Sequence, residues 1–379
     1  LPQLEQFRER VESASKSHQY SSYLHVKQAV FDMLDRMSQE GDAPSDYWSA
    51  EVKGIEYLLD ASPLLVQTLR SHCYHLTGIQ DYDYRGHHSL RMPHFQSKYE
   101  ALAALDSWGL FVPEDPRLGG FGHELDAGLT NVDTLKFYEV LIGLKMAGMI
   151  PSPKESESSP ERVLEIGGGW GGFAYQYKTL FPKTKYVIID LPQTLLFSGT
   201  YLLSLFPEAS SQFISSGEEL ANAASQDLPD FTFIPHYLTE ELGQLNIDLA
   251  INMVSFQEMT TEQVSGYARV LRDGRCANLY SLNRERSRYN DQLTGVINVL
   301  SQHYRMDYQD LLPIQYTELV IPRKVFGPLE LLRNLAIGNR RRAIGQLRSP
   351  LLNLMNGQLP RKKAPISIHA YRHAFGRLS

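Results

Sequence analysis

The chain reads as an α/β protein in which a mainly helical stretch precedes a mostly parallel sheet covered on both faces. Three observations predict this. After residue 161, short apolar runs alternate with helical segments, the rhythm of a parallel sheet whose crossovers carry helices. Before residue 150, apolar residues recur at spacings of three and four, the period of a helix with one buried face. Between the two, PSPKESESSPE, Pro151 to Glu161, mixes proline, serine and charge without periodicity and reads as an exposed connector.

In chain order, LEQFRERVESA, VKQAVFDMLDRMSQ, PLLVQTLRSHCYHLTG and SKYEALAALDSWGL predict helices. NVDTLKFYEVLIGLKMAGMI predicts a strong amphipathic helix with Asn131 or Asp133 at its cap. A polar stretch carrying three histidines, Asp81 to Phe95, interrupts the series. Beyond the connector, RVLEI, KYVIID, DFTFIP, DLAINMV and RCANLYS predict strands. WGGFAYQYKTLF, PQTLLFSGTYLLSLF and TTEQVSGYARVLRD predict the helices between them. YTELVIP and PISIHAY are candidate later strands, and Gly327 to Leu354 reads as helical around Arg340 to Arg342.

Composition narrows the function. The 379 residues are enough for a large core. A net charge of −6 supplies no basic field for nucleic acid, so none is expected as a partner. The two cysteines, Cys73 and Cys276, are too few for a disulfide framework. No apolar stretch approaches a membrane span, so no membrane partner is expected either. The sequence opens on Leu1, which reads as a trimmed start, and the remainder reads as cytoplasmic.

The chemistry concentrates at VLEIGGGWGG, residues 163 to 172. In a parallel sheet, ligands sit beyond the carboxyl ends of the strands, and glycines there allow a close backbone approach. Gly167, Gly169 and Gly172 fit G-x-G-x-x-G, the dinucleotide pattern. Gly167, Gly169 and Gly171 fit the E/D-x-G-x-G-x-G pattern of S-adenosylmethionine enzymes, with Glu165 as the acidic member. Asp190 closes the second apolar run, where an acidic residue accepts from ribose hydroxyls; a strand-end aspartate capping the next helix is the simpler structural alternative. Glu165 separates the two cofactors. A carboxylate beside a helix N-terminus opposes a pyrophosphate but attracts the ammonium and sulfonium of S-adenosylmethionine.

VLEIGGGWGGFAYQY, VIIDLPQTL and DLAINMVSFQEMT together resemble the class I S-adenosylmethionine-dependent methyltransferases. With GLTNVDTLKFYEVL ahead of them, they are similar to the bacterial sugar O-methyltransferases, over roughly residues 125 to 285. The D-L-P of IIDLP is also similar to small-molecule O-methyltransferases of the plant and antibiotic-pathway type. The resemblance implies a Rossmann-like core with a mostly parallel seven-stranded sheet over 151–379. It also implies a helical region, 1–150, that caps the substrate or forms an oligomer surface. Glu165, Gly167, Gly169 and Gly171 would line the methionine and ribose portion, and Asp190 with Leu191 the ribose and adenine. His236 or Tyr237 would face the adenine, although many relatives carry an aspartate where His236 stands. Asn252 would lie near the sulfonium.

In the plant-type enzymes a histidine after the fourth strand serves as base, and Gln257 occupies that place here. Glutamine cannot take a proton usefully, so the adjacent Glu258 is the candidate base; otherwise both residues simply begin the next helix, where an anion suits the dipole. His87, His88 and His94, with Tyr82, Tyr84 and Arg91, are candidates for binding a hydroxylated substrate. Their spacing is poor for ligands, and no metal is expected. Arg340 to Arg342 and Arg361-Lys362-Lys363 read as solvated faces rather than phosphate contacts. The expected activity is methyl transfer from S-adenosylmethionine to a hydroxyl of a sugar or glycosylated small metabolite, with room for a homo-oligomer. N- or O-methylation of another natural-product intermediate is the near alternative. An NAD-dependent oxidoreductase and a non-catalytic methyltransferase-like scaffold are the distant ones.

Overall fold

The computed structural model describes residues 2–40, 46–86, 91–158, 161–287, 290–312 and 370–378. They belong to one compact unit formed by residues 1–320 and 369–379; a second unit, 321–368, falls outside the described residues. YTELVIP, the predicted helix from Gly327 to Leu354 and both basic clusters lie outside them too, as do His87 and His88.

Ten strands are described: β1 (His123–Leu125), β2 (Gly128–Thr130), β3 (Arg162–Ile166), β4 (Lys185–Asp190) and β5 (Ser211–Phe213), then β6 (Phe231–Pro235), β7 (Leu249–Met253), β8 (Asn278–Asn283), β9 (Arg305–Gln309) and β10 (Arg372–Arg377). β1 and β2 form a small antiparallel hairpin. The others make one sheet in the order β5-β6-β4-β3-β7-β8-β10-β9. Within it only β10 runs against its neighbours. This is a Rossmann-like, doubly wound, mostly parallel sheet. It has eight strands among the described residues rather than the expected seven. The addition is β5, three half-buried residues at the edge and too short to leave an apolar signature. β9 was also silent in the sequence, because its RMDYQ is largely exposed. Most of PISIHAY, residues 365–369, lies outside the described residues; the described strand that follows it is β10, from Arg372.

Alternation along each strand divides the core. Tyr186 and Ile188, Phe231 and Phe233, Leu249 and Ile251, and Tyr280 and Leu282 point to one face. Val187 and Ile189, Ile234, Ala250 and Leu279 point to the other, as a period of two requires. The first face packs against helices Gly172–Leu180, Pro192–Leu205 and the N-terminal region. The second packs against Gly217–Ala224, Thr261–Asp273 and the turns over His236–Leu245.

The N-terminal region holds the long helices Pro2–Ser15 and His18–Glu40, then Met92–Ala103 and Val132–Met146. Helix His18–Glu40 lies directly on Pro192–Leu205, where a Cβ on Gly199 would stand 2.9 Å from Val26. Two expectations change. PLLVQTLRSHCYHLTG is three short turns, Pro63–Val66, Leu69–His72 and Tyr74–Thr77, rather than one helix; the backbone leaves the helical region at Thr68 (φ −121°, ψ 24°), and Arg70 beyond it is buried. Val132–Met146 is not amphipathic: from Asp133 to Leu144 every residue but Lys136 is buried, since this helix lies between the sheet and the other N-terminal helices.

Candidate functional site

β3 pairs with β4 on one side and β7 on the other. Its carboxyl end is therefore the point where the winding reverses, and a crevice must open there. The glycine turn fills that position. Gly167, Gly169 and Gly171 all have positive φ, 72°, 56° and 86°. A Cβ on Gly167 would fall 2.3 Å from Ser255 Oγ, whereas one on Gly169 would meet nothing within 4 Å. Gly167 is thus demanded by packing, while Gly169 faces open space. Gly171 caps helix Gly172–Leu180 and lies against Ser198, 3.1 Å from a would-be Cβ.

A cavity of about 500 Å³ opens in front of this turn. Glu165, Gly167, Gly169, Asp190, Leu191, His236, Tyr237 and Glu258 border it. Gly171, Asn252 and Gln257 do not, and each has a task behind the wall. Asn252 Nδ2 donates to Ile166 O at 2.9 Å and to Ser255 Oγ, and Asn252 Oδ1 accepts from Asn283 Nδ2 at 2.8 Å and Phe256 N–H at 3.2 Å. These bonds hold the end of β7 to β3 and to β8. They also brace Val254, a β-branched residue at φ 65° on the cavity wall, a conformation that costs of order 1–3 kcal/mol.

Gln257 Oε1 accepts from Arg284 N–H at 3.0 Å, while its amide and the Trp48 indole hydrogen-bond to Glu258. Gln257 therefore orients its neighbour. Burial pushes the Glu258 carboxyl up to about 8; Glu51 adds to the rise, and the two hydrogen bonds and Arg284 oppose it.

Asp190 Oδ2 accepts from Gly169 N–H at 2.8 Å and Asp190 Oδ1 from Leu191 N–H at 2.7 Å, so the aspartate locks the glycine turn to the end of β4. Each oxygen keeps a lone pair for a hydroxyl donor. Burial nonetheless raises this carboxyl to about 7. Glu165 is buried and accepts from Tyr186 Oη–H at 3.0 Å; burial, reinforced by Asp190, pushes it up to about 8, with Lys136 pulling the other way. Tyr237 Oη donates to Ser215 O at 3.0 Å and lies 3.3 Å from Met33 O. Its ring edges the cavity while its hydroxyl ties this wall to helix His18–Glu40.

Several contributors came only with the structure. Trp48, Val132, Asp133 and Lys136 bring the N-terminal region to the cavity, and Thr194, Glu262 and Tyr267 complete it from the core. Thr194 Oγ1 is buried and has no hydrogen-bond partner among the described residues, so it can serve a ligand. Asp133, read from the sequence as a possible cap, is a junction instead; Asn131 is the cap, in a reciprocal box with Thr134. Asp133 Oδ2 binds Arg70 at 3.0 Å and Trp170 Nε1 at 3.2 Å, and its Oδ1 binds Lys136 at 3.1 Å. Arg70 also pairs with Glu114 at 2.7 Å and stacks on Trp170, 3.7 Å from the ring centroid. Trp170 of the glycine turn is thereby fastened to the N-terminal region. His94 is half-buried in helix Met92–Ala103 and does not border the cavity. No group of three or more metal-ligating side chains occurs among the described residues.

No protein-family model matches the chain, and no curated protein matches it. Solved structures do match, loosely. Haemonchus contortus phosphoethanolamine N-methyltransferase 2 with S-adenosylhomocysteine aligns at 10% identity and TM-score 0.32, over 62% of this chain and 51% of that one. The present chain thus spans about half of that protein's length. Human N-acetylserotonin methyltransferase with S-adenosylmethionine aligns at 12% identity and TM-score 0.28, over 82% and 94%. A Rhodobacter sphaeroides protein described as a zinc-dependent alcohol dehydrogenase aligns at 14% and 0.27, over 75% and 98%. Likeness this loose does not separate a methyl donor from a dinucleotide. The cavity has to do so.

Proposed function

We propose that this protein transfers a methyl group from S-adenosylmethionine to a hydroxyl of a small polar acceptor, a sugar or glycosylated metabolite. One observation carries the choice of cofactor. Among the described residues the cavity is bordered by Asp133, Glu165, Asp190, Glu240, Glu258 and Glu262 against one ammonium, Lys136. A pyrophosphate would find one cation there, Lys136, whereas a sulfonium and an ammonium would draw these carboxyls into their charged forms. The raised carboxyls of Glu165, Asp190 and Glu258 fit the same reading, because a cation beside them would restore their charged forms.

The donor supplies a methyl carbon activated by a sulfonium, which leaves as a neutral thioether when an acceptor oxygen bonds to that carbon. The protein's part is placement and proton removal. Asp190 and the glycine turn fix the ribose end, Glu165 the ammonium, and His236 and Tyr237 edge the adenine side. Glu258, held by Gln257 and Trp48, takes the acceptor proton as the new bond forms. Positioning of this kind accounts for up to about 7–11 kcal/mol of a barrier, and a base for about 10²–10⁴-fold in rate. Region 1–150, through Trp48 beside Glu258, covers the acceptor side. The sugar assignment draws on the sequence resemblance and on Trp48 and Tyr267, aromatic faces beside carboxylates.

The same carboxylates favour a second reading, an amine acceptor held as a cation before it loses a proton. Calorimetry with S-adenosylhomocysteine and NAD tests the cofactor: S-adenosylhomocysteine should bind, and binding of NAD alone would end the proposal. Methyl transfer to a panel of sugar hydroxyls and amines then decides between the two acceptors.

A further inference from the structure

The acidic cavity poses a problem for the methyl donor itself. Its amino-acid end carries a carboxylate as well as an ammonium, and a carboxylate is disfavoured beside Asp133, Glu165, Asp190 or Glu258. The only lysine or arginine bordering the cavity among the described residues is Lys136. It comes from helix Val132–Met146 of the N-terminal region, and its side chain is 13% exposed. Asp133 Oδ1 braces it at 3.1 Å, and its Nζ lies 4.7 Å from the centroid of the Phe137 ring. Asp133 itself is anchored through Oδ2 to Arg70 and Trp170. The Lys136 charge acts on Glu165, the residue proposed for the ammonium end. Lys136 is also the one side chain between Asp133 and Leu144 that this helix does not bury.

We infer that Lys136 is the binding residue for the α-carboxylate of the methyl donor. With Glu165 it forms a complementary pair, the carboxylate for the ammonium and the lysine for the carboxylate, across the two substituents of one carbon. This deepens the cofactor proposal and rests on it. It also makes the N-terminal region part of the cofactor site rather than only a cover for the acceptor. A charge-assisted bond of this kind is worth more than a neutral one, and a point-charge ammonium suits a carboxylate held from one side.

The test compares S-adenosylmethionine with its decarboxylated form, which keeps the sulfonium and the amine but lacks the carboxylate. Calorimetric affinities are measured for the wild type, Lys136→Met and Lys136→Arg. Lys136→Met should weaken S-adenosylmethionine by about 10- to 100-fold, and Lys136→Arg should restore most of it. Decarboxylated S-adenosylmethionine should bind Lys136→Met as well as, or better than, it binds the wild type, since a repelling cation has gone. Equal losses for both ligands would mean that Lys136 only supports the fold and would overturn the inference. So would undiminished binding of S-adenosylmethionine. A wild type that binds neither ligand removes the cofactor proposal and this inference together, whereas one that binds both and does not respond to Lys136→Met removes this inference alone.

Discussion

On the proposed reading Glu258, on the cavity wall, meets the acceptor, and Gln257, behind the wall, aims Glu258; kinetics should separate the two roles. Glu258→Gln should lower methyl transfer by about 10²–10⁴-fold. In the wild type the rate should rise with pH through the elevated titration of Glu258, because a base must be ionised; the variant should lose that rise. A variant with full activity and an unchanged pH profile would exclude Glu258 as the base. The glycines divide in a similar way. Gly169→Ala places a Cβ in open space at φ 56° and should cost about 1–2 kcal/mol of backbone strain. Gly167→Ala adds a clash with Ser255 Oγ and should lower the melting temperature further. Equal melting temperatures would count against the packing described for Gly167.

At the scale of elements, the decisive contact joins helix Val132–Met146 to the glycine turn. Arg70, Glu114, Asp133 and Asn131 are all buried, and Asn131 Nδ2 satisfies the second oxygen of Glu114 at 2.8 Å. Arg70→Met leaves Glu114 buried without its cation and Asp133 with Lys136 alone, and should destabilise the protein by about 3–5 kcal/mol. Converting Glu114 to Gln and Asp133 to Asn in the same chain should recover much of that loss, as denaturant titration can show. Absence of recovery would mean that stacking on Trp170, rather than charge, explains the burial of Arg70. A second buried group, Lys98 with Glu139 and His373, ties the same N-terminal helices to β10.

The whole molecule carries several carboxyls whose pKa lies above the ordinary range, and this gives its stability a direction. Glu165 and Glu258 sit at about 8 and Asp190 at about 7 in the folded chain. Between their unfolded and folded values the native state holds more protons than the unfolded one. Stability contributed by their neutral forms is therefore present below about pH 4 and is lost as pH rises toward 8, at up to ~1.4 kcal/mol per pH unit for each proton. Denaturation of the ligand-free protein at pH 5, 7 and 8.5 should show declining midpoints, and S-adenosylmethionine should flatten the decline. A rising series would contradict the burial assigned to these groups. Among the described residues no helix is long and apolar enough to cross a membrane.

The sequence by itself determined the alternation of strands and helices, the glycine turn and the acidic strand end, because these are local: short apolar runs between helical segments, a cluster of residues that tolerate positive φ, a carboxylate two positions before a turn. Five strands of the sheet were legible for that reason, and so were Glu165, Gly167, Gly169, Asp190 and Glu258 as candidates at one crevice. Tertiary structure decided what depends on neighbours distant in the chain. Helix Val132–Met146 lost its amphipathic character because it is covered on both sides, and Asp133 became a junction only through Arg70 and Trp170. Edge strands such as β5 and β9 have too little buried surface to mark the sequence. Glu165 of VLEIGGGWGG already leaned toward a cationic ligand in the sequence, and only the folded molecule brings Asp133, Asp190, Glu240, Glu258 and Glu262 to the same cavity.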